Sequence, residues 1–158
     1  MMKTDKTVKE LFDLAIQAEK IMRDYYIGLT EKFQTLPDVV NFWQGLANDE
    51  NGHIRWLENV CSKLPQEKLS SMADPEVITQ AERALQFSVE KALDETKTLK
   101  DAYEFAHELE YSETNAIFRF LMQTFIGPAK RQQMALQEIE NHLEKLMDFS
   151  KTFGDRLK

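Results

Sequence analysis

Glu50 and His53 stand on what is otherwise the apolar side of a helix-like segment, and that intrusion constrains this chain more than any other feature. Val39, Trp43, Leu46, Ala47, Ile54, Leu57 and Val60 recur around them at helical spacing. Residues three apart share one helix face, a turn from each other. The carboxylate and the imidazole therefore point where the apolar residues point. A core tolerates such groups when they bond to each other or share a metal ion.

Three further segments show the same kind of interrupted stripe. Thr7-Val8-Lys9-Glu10 has the form of a capping box. Behind it Val8, Leu11, Phe12, Ala15, Ala18, Met22, Tyr26, Leu29 and Phe33 mark a helix to about Gln34, with Glu19 inside the stripe. Pro37 restarts the chain at an early helical position. The second helix, carrying Glu50 and His53, fades near Cys61-Ser62, and the short link makes the pair antiparallel neighbours. Residues 63–73 read as a polar connector, and Asp74-Pro75-Glu76 starts a shorter crossover helix expected to reach about Leu93. Thr98 and Asp101 cap a third long helix with Leu99, Tyr103, Ala106, Ile117 and Leu121 on its stripe, where Glu110 and Glu113 also fall. Gly127-Pro128 ends that helix. The fourth, 129–153, turns Ala135, Ile139, Leu143, Leu146 and Phe149 inward, with His142 on the same face.

The expected architecture is all-α: an antiparallel four-helix bundle with a crossover connection carrying a short extra helix between helices 2 and 3. A chain of 158 residues makes it one domain, 1–158. Five glycines, four prolines and 42% hydrophobic residues suit such a fold and argue against disorder or a β-sandwich. A net charge of -7 without a basic stripe argues against nucleic acid or an anionic membrane as partner. No apolar run approaches the roughly 20 residues of a spanning helix, and the opening Met-Met-Lys-Thr-Asp-Lys has no apolar signal core. The one cysteine, Cys61, lies on an apolar face and can form neither an internal disulfide nor a four-thiolate metal site, which fits a reducing, cytoplasmic setting.

The ionisable groups repeat. One helix pair presents Glu19 and then Glu50-x-x-His53; the other presents Glu110 and then His142 at a similar separation. A duplicated hairpin would set them at one level. Glutamates on two helices facing Glu-x-x-His on the other two form the di-metal carboxylate arrangement, and iron or manganese accepts carboxylate oxygen and imidazole nitrogen.

On these residues the chain resembles the rubrerythrin branch of the ferritin-like superfamily, across nearly its whole length. The resemblance implies a di-iron protein that reduces peroxide or handles iron and oxygen, pairing as a homodimer through exposed helix faces. It implies metal ligands at Glu19, Glu50, His53, Glu110 and His142. It implies a further one at Glu113, which would exchange with His53 as the redox state changes, and it matches Met147-Asp148-Phe149 to the end of the fourth helix. Two features depart from the family pattern. Ile139 stands three residues before His142, where the family carries a bridging glutamate, and the paired Cys-x-x-Cys of a rubredoxin module is missing from this sequence, so electrons would come from a separate donor protein.

Three readings stay open on the sequence: a di-iron oxidoreductase, a metal-binding protein without turnover that holds iron or another divalent ion, and a degenerate helical scaffold whose acids bond to its histidines and whose role is association with a partner. Glu138, four residues before His142, is either a substitute ligand or a solvated face residue; His107 falls at the rim; Tyr25, Tyr26 and Tyr103 read as core or interface aromatics.

Overall fold

Thr7 closes the first helix as its capping box requires: its hydroxyl accepts from the Glu10 amide at 3.2 Å and its own amide donates to the Glu10 carboxylate at 3.0 Å. The computed structural model describes residues 6–157, so most of the opening stretch read for a signal core lies outside the described residues. The helices are α1 (Val8–Lys32), α2 (Pro37–Lys63), α3 (Gln66–Leu69), α4 (Pro75–Ala84), α5 (Val89–Glu95), α6 (Leu99–Glu110), α7 (Glu113–Phe125) and α8 (Ala129–Phe153), followed by a short 3-10 turn. None is long and apolar enough to cross a membrane.

Two apolar clusters fill the bundle. One gathers the start of α1, the end of α2, α4, α7 and the start of α8, around Phe12, Leu57, Ile78, Phe118 and Ile139. The other gathers the end of α1, the start of α2, α5, α6 and the end of α8, around Tyr26, Trp43, Ala106 and Phe149. Chain direction follows from this order. α1 and α8 run from the first cluster to the second; α2 and the α6–α7 rod run the other way. The crossover must therefore return the chain along the whole bundle, and the all-α ferritin-like architecture expected from the sequence is the one observed.

Two expectations need correction. The crossover helix does not run unbroken to Leu93. It stops at Ala84 and restarts at Val89, where the Ser88 hydroxyl accepts from the Lys91 amide at 3.1 Å. The connector before it also holds the single turn α3. The third long helix is interrupted as well, at Tyr111-Ser112. Ser112 acts as N-cap of α7, its hydroxyl also donating to the Leu109 carbonyl at 2.6 Å. Neither glycine nor proline marks that break.

The crossover docks closely on α1 at Gly28. A Cβ at Gly28 would fall 2.8 Å from Leu93 Cδ2 and closer still to Cδ1, so only the bare glycine lets the leucine lie on the helix. Gly28→Val should displace Leu93 and cost about 1–3 kcal/mol by overpacking. Denaturant unfolding would give that loss, with faster amide exchange confined to α5. Unchanged exchange in α5 would mean that this contact does not hold the crossover.

Candidate metal centre

Between the two apolar clusters lies one polar layer, and each rod of the bundle contributes to it at mid-length. α1 supplies Glu19, α2 supplies Glu50 and His53, α6 ends in Glu110, and α8 supplies His142. All five are at most 1% exposed. Their donor atoms form two sets, Glu19–Glu50–His53 and Glu50–Glu110–His142, within each of which the atoms lie within 4.8 Å of one another. Glu50 is common to both.

The hydrogen bonds order this layer around Glu50. His53 Nδ1 lies 2.9 Å from Glu50 Oε1 and 3.3 Å from Glu19 Oε1, so its N–H is shared between two carboxylates. His142 Nε2 donates to Glu110 Oε2 at 2.5 Å and also sits 2.8 Å from Glu50 Oε2. That second contact is electrostatic, because the N–H is aimed at Glu110 and Glu50 Oε2 is left without a hydrogen-bond partner. The Tyr26 hydroxyl donates to Glu110 from the other side. Asn115 Nδ2, on α7, donates to the Glu110 carboxylate at 2.9 Å and to its main-chain carbonyl at 2.7 Å. The helix break thus exposes a carbonyl, and Asn115 satisfies it while holding the carboxylate in place.

Two supporting residues were not singled out by the sequence. Asp49 Oδ2 accepts from His142 Nδ1 at 2.9 Å, and the same carboxylate takes Lys145 Nζ at 2.9 Å and 3.0 Å. A carboxylate on the far nitrogen of a ligating histidine fixes the tautomer and raises basicity. Asp49 sits one residue before Glu50, off the apolar stripe, and nothing local marks it. Asn115 could be found only by placing the break. Tyr26, read as a core aromatic, is one, but its hydroxyl also bonds the centre; its ring stacks on Trp43 at 5.9 Å.

Glu113 stands apart. With the rod broken at residues 111 and 112, Glu113 opens α7 instead of lying a turn beyond Glu110, and its carboxylate pairs with Arg83 of α4 at 2.7 Å and 3.1 Å. Ile139, fully buried, belongs to the first apolar cluster, and Glu138 is exposed. His107 is exposed, as expected for the rim.

Electrostatics of the layer follow from burial and crowding. Burial and the Glu50 charge push Glu19 up to about 8, against the pull of His53. Burial raises Glu110, Glu50 adds to it, and His142 opposes. Glu50 resists burial because both imidazoles hold it well below the usual range. Burial alone would lower both histidines, yet the carboxylates win: His53 is held up to about 10 and His142 well above its ordinary value. Protons thus supply the positive charge that three buried carboxylates require. A cation bound at the same donors would replace them. The unmet lone pair of Glu50, the two donor sets and their mixture of carboxylate and imidazole fit divalent iron or manganese.

A family model described as rubrerythrin matches residues 10–124. The match takes in Glu19, Glu50, His53 and Glu110 and ends before His142. No curated protein and no solved structure gives a match to this chain.

The proton count sets the pH response of the metal-free chain. Glu19 binds more protons folded than unfolded between about 4.5 and 8, and His53 does so between 6.5 and about 10. Stability therefore falls as pH rises through those windows. Glu50, with its lowered pKa, acts in the opposite direction and loses its contribution below about 4.5. Denaturant unfolding of chelator-treated protein should show at least about 1.4 kcal/mol less stability at pH 9 than at pH 6, one pKa unit's worth. Glu19→Gln should flatten the part of the slope below pH 8. Equal stability at the two pH values would contradict this charge arrangement.

Proposed function

The chain belongs to the rubrerythrin family, and from that premise we propose that its polar layer holds a di-iron centre and that the protein is an oxidoreductase acting on peroxide or dioxygen. The observation that carries this reading is the pair of donor sets joined at Glu50. One carboxylate placed between two imidazoles is what two neighbouring cations require of a bridging ligand.

Within the proposal, Glu19 and His53 would hold one ion and Glu110 and His142 the other, with Glu50 available to both. Iron, when bound, supplies the electrons for reducing the substrate. The chain's own groups do the rest. Asp49 fixes the His142 tautomer so that Nε2 faces the centre. The Tyr26 hydroxyl, beside Glu110, keeps a proton within reach of that carboxylate. The apolar clusters on either side exclude bulk water and strengthen every charge interaction between them. This sequence holds a single cysteine, so the reductant is assigned to a redox centre outside it; a cytoplasmic setting and a homodimer complete the proposal.

One observation favours a more modest role, metal binding without turnover. Two divalent ions bring four positive charges, whereas Glu19, Glu50 and Glu110 bring three negative ones. Glu113 is turned away and Ile139 offers no donor. The fourth negative charge is Asp49, one bond removed behind His142 and shared with Lys145. A single ion needs no such help.

Metal analysis of natively purified protein tests both readings. Two irons per chain with a peroxide-sensitive near-ultraviolet band is the expected result; one redox-inert ion would select the modest role, and none would remove both. Glu50→Ala should retain no ion, and Glu19→Ala about one. Because both imidazoles must lose a proton on binding, apparent affinity should rise between pH 6 and pH 8, with proton release measurable by calorimetry in buffers of different ionisation heat.

A further inference from the structure

We propose that the cleft between α2 and α8 is the port through which metal ions and small polar reactants exchange with the buried centre, and that Gly52 keeps it open. The inference rests on the metal-centre reading above. The cleft has a volume of about 260 Å³, and His53 lies on its wall with Asn48, Asp49, Gly52, Asn141 and Lys145. A side chain of the centre therefore lines this hollow although His53 itself is only 1% exposed.

The second observation concerns His53 Nε2. Its ring partner, Nδ1, is committed to Glu50 and Glu19, whereas Nε2 is buried and has no hydrogen-bond partner. A buried ring nitrogen without a partner, on a residue that lines a polar cleft, calls for a water or a polar solute. The cleft wall suits small hydrated species: amides at Asn48 and Asn141, and acids and bases in equal number, Asp49 and Glu138 against Arg55 and Lys145. It repels neither a hydrated cation nor a neutral peroxide.

Other sides of the centre are lined by buried residues. Along the bundle axis the centre meets the two apolar clusters. Toward the α1–α2 seam it meets Ala15, Ala18 and Ala47, none more than 3% exposed. Toward α6 it meets Tyr26 and Asn115, both buried and bonded to Glu110. At Gly52 the opposite holds. A Cβ there would meet only the Arg55 guanidinium, at 3.9 Å, so the space beside His53 exists because this position has no side chain. A second hollow of about 320 Å³ shares Gly52, Arg55 and Glu138 with the first and extends the opening toward Trp56 and Arg131.

The test is a plug. Gly52→Phe, or Gly52→Met should the ring disturb folding, would fill the cleft without backbone strain, since the position is ordinary helix. Gly45→Phe is the matched control: it lies two turns earlier on α2 and lines a separate hollow that shares Lys145 but no side chain of the centre. Each protein is loaded with Co(II), and release to excess chelator is followed by the ligand-field spectrum. The plug should slow both loading and release at least tenfold, leave equilibrium affinity within twofold, and leave Gly45→Phe at the wild-type rates. Equal rates in the plug and the control, with cobalt bound, would overturn the port alone. Failure of the wild-type chain to bind Co(II) at all would overturn the metal centre and the port together.

Discussion

The Glu50 carboxylate lies between two imidazoles, 2.9 Å from His53 Nδ1 and 2.8 Å from His142 Nε2, and the interior of this bundle is organised around that contact. Four rods can bury apolar stripes against one another in several registers. They can bring a glutamate on α2 to the histidine of α8 in one. The layer therefore fixes how far each rod slides along its neighbours, a use of buried polar groups known from other helical assemblies. It also divides the core. Phe12, Leu57 and Phe118 pack on one side and Tyr26, Trp43 and Phe149 on the other, with the five ionisable groups between them.

Such a layer is poor at stabilising a fold. Apolar side chains of similar volume would hold the bundle at least as firmly, because desolvating carboxylates and imidazoles offsets most of their attraction. Its persistence inside an otherwise well-packed core thus points to chemistry and not to folding. The metal-free charge pattern makes the same point. Burial pushes Glu19 and Glu110 toward the neutral form while the histidines are drawn toward the cationic one. The chain carries protons where cations fit, and a bound metal would reverse the pull on Glu19, Glu110 and both histidines, whereas Glu50 is already held ionised.

Much of this was legible in the sequence, for definite reasons. Helices α1, α2 and α8 begin and end within two residues of expectation, because long stripes, a capping box and Pro37 mark them without competition. Glu19, Glu50, His53, Glu110 and His142 were visible because each breaks an apolar stripe. Glu113 satisfied the same criterion, and there the criterion failed. It assumed an unbroken helix, and the break at Tyr111-Ser112 carries no glycine or proline to announce it. A shift of two residues is enough to turn a side chain from the bundle axis to the Arg83 guanidinium. Asp49 was invisible for another reason: its partner His142 is 93 residues away, and an aspartate on a solvated face has no local mark.

Ile139 shows where the demands of the empty and the filled bundle separate. It lies one turn before His142 and is completely buried in the first apolar cluster. A glutamate there would add a fourth carboxylate to a layer where burial and the Glu50 charge already raise Glu110. In the metal-free chain that carboxylate would have to be desolvated with no imidazole left to pair with, since His53 and His142 are already engaged. In a metal-loaded centre it would add a further oxygen donor and a further negative charge. Isoleucine resolves the conflict in favour of the empty state. The bundle gains an apolar contact at the edge of its polar layer, and a metal held there would draw its negative charge from Glu19, Glu50 and Glu110. Stability without metal and charge balance with metal pull this one position in opposite directions, and isoleucine serves the first.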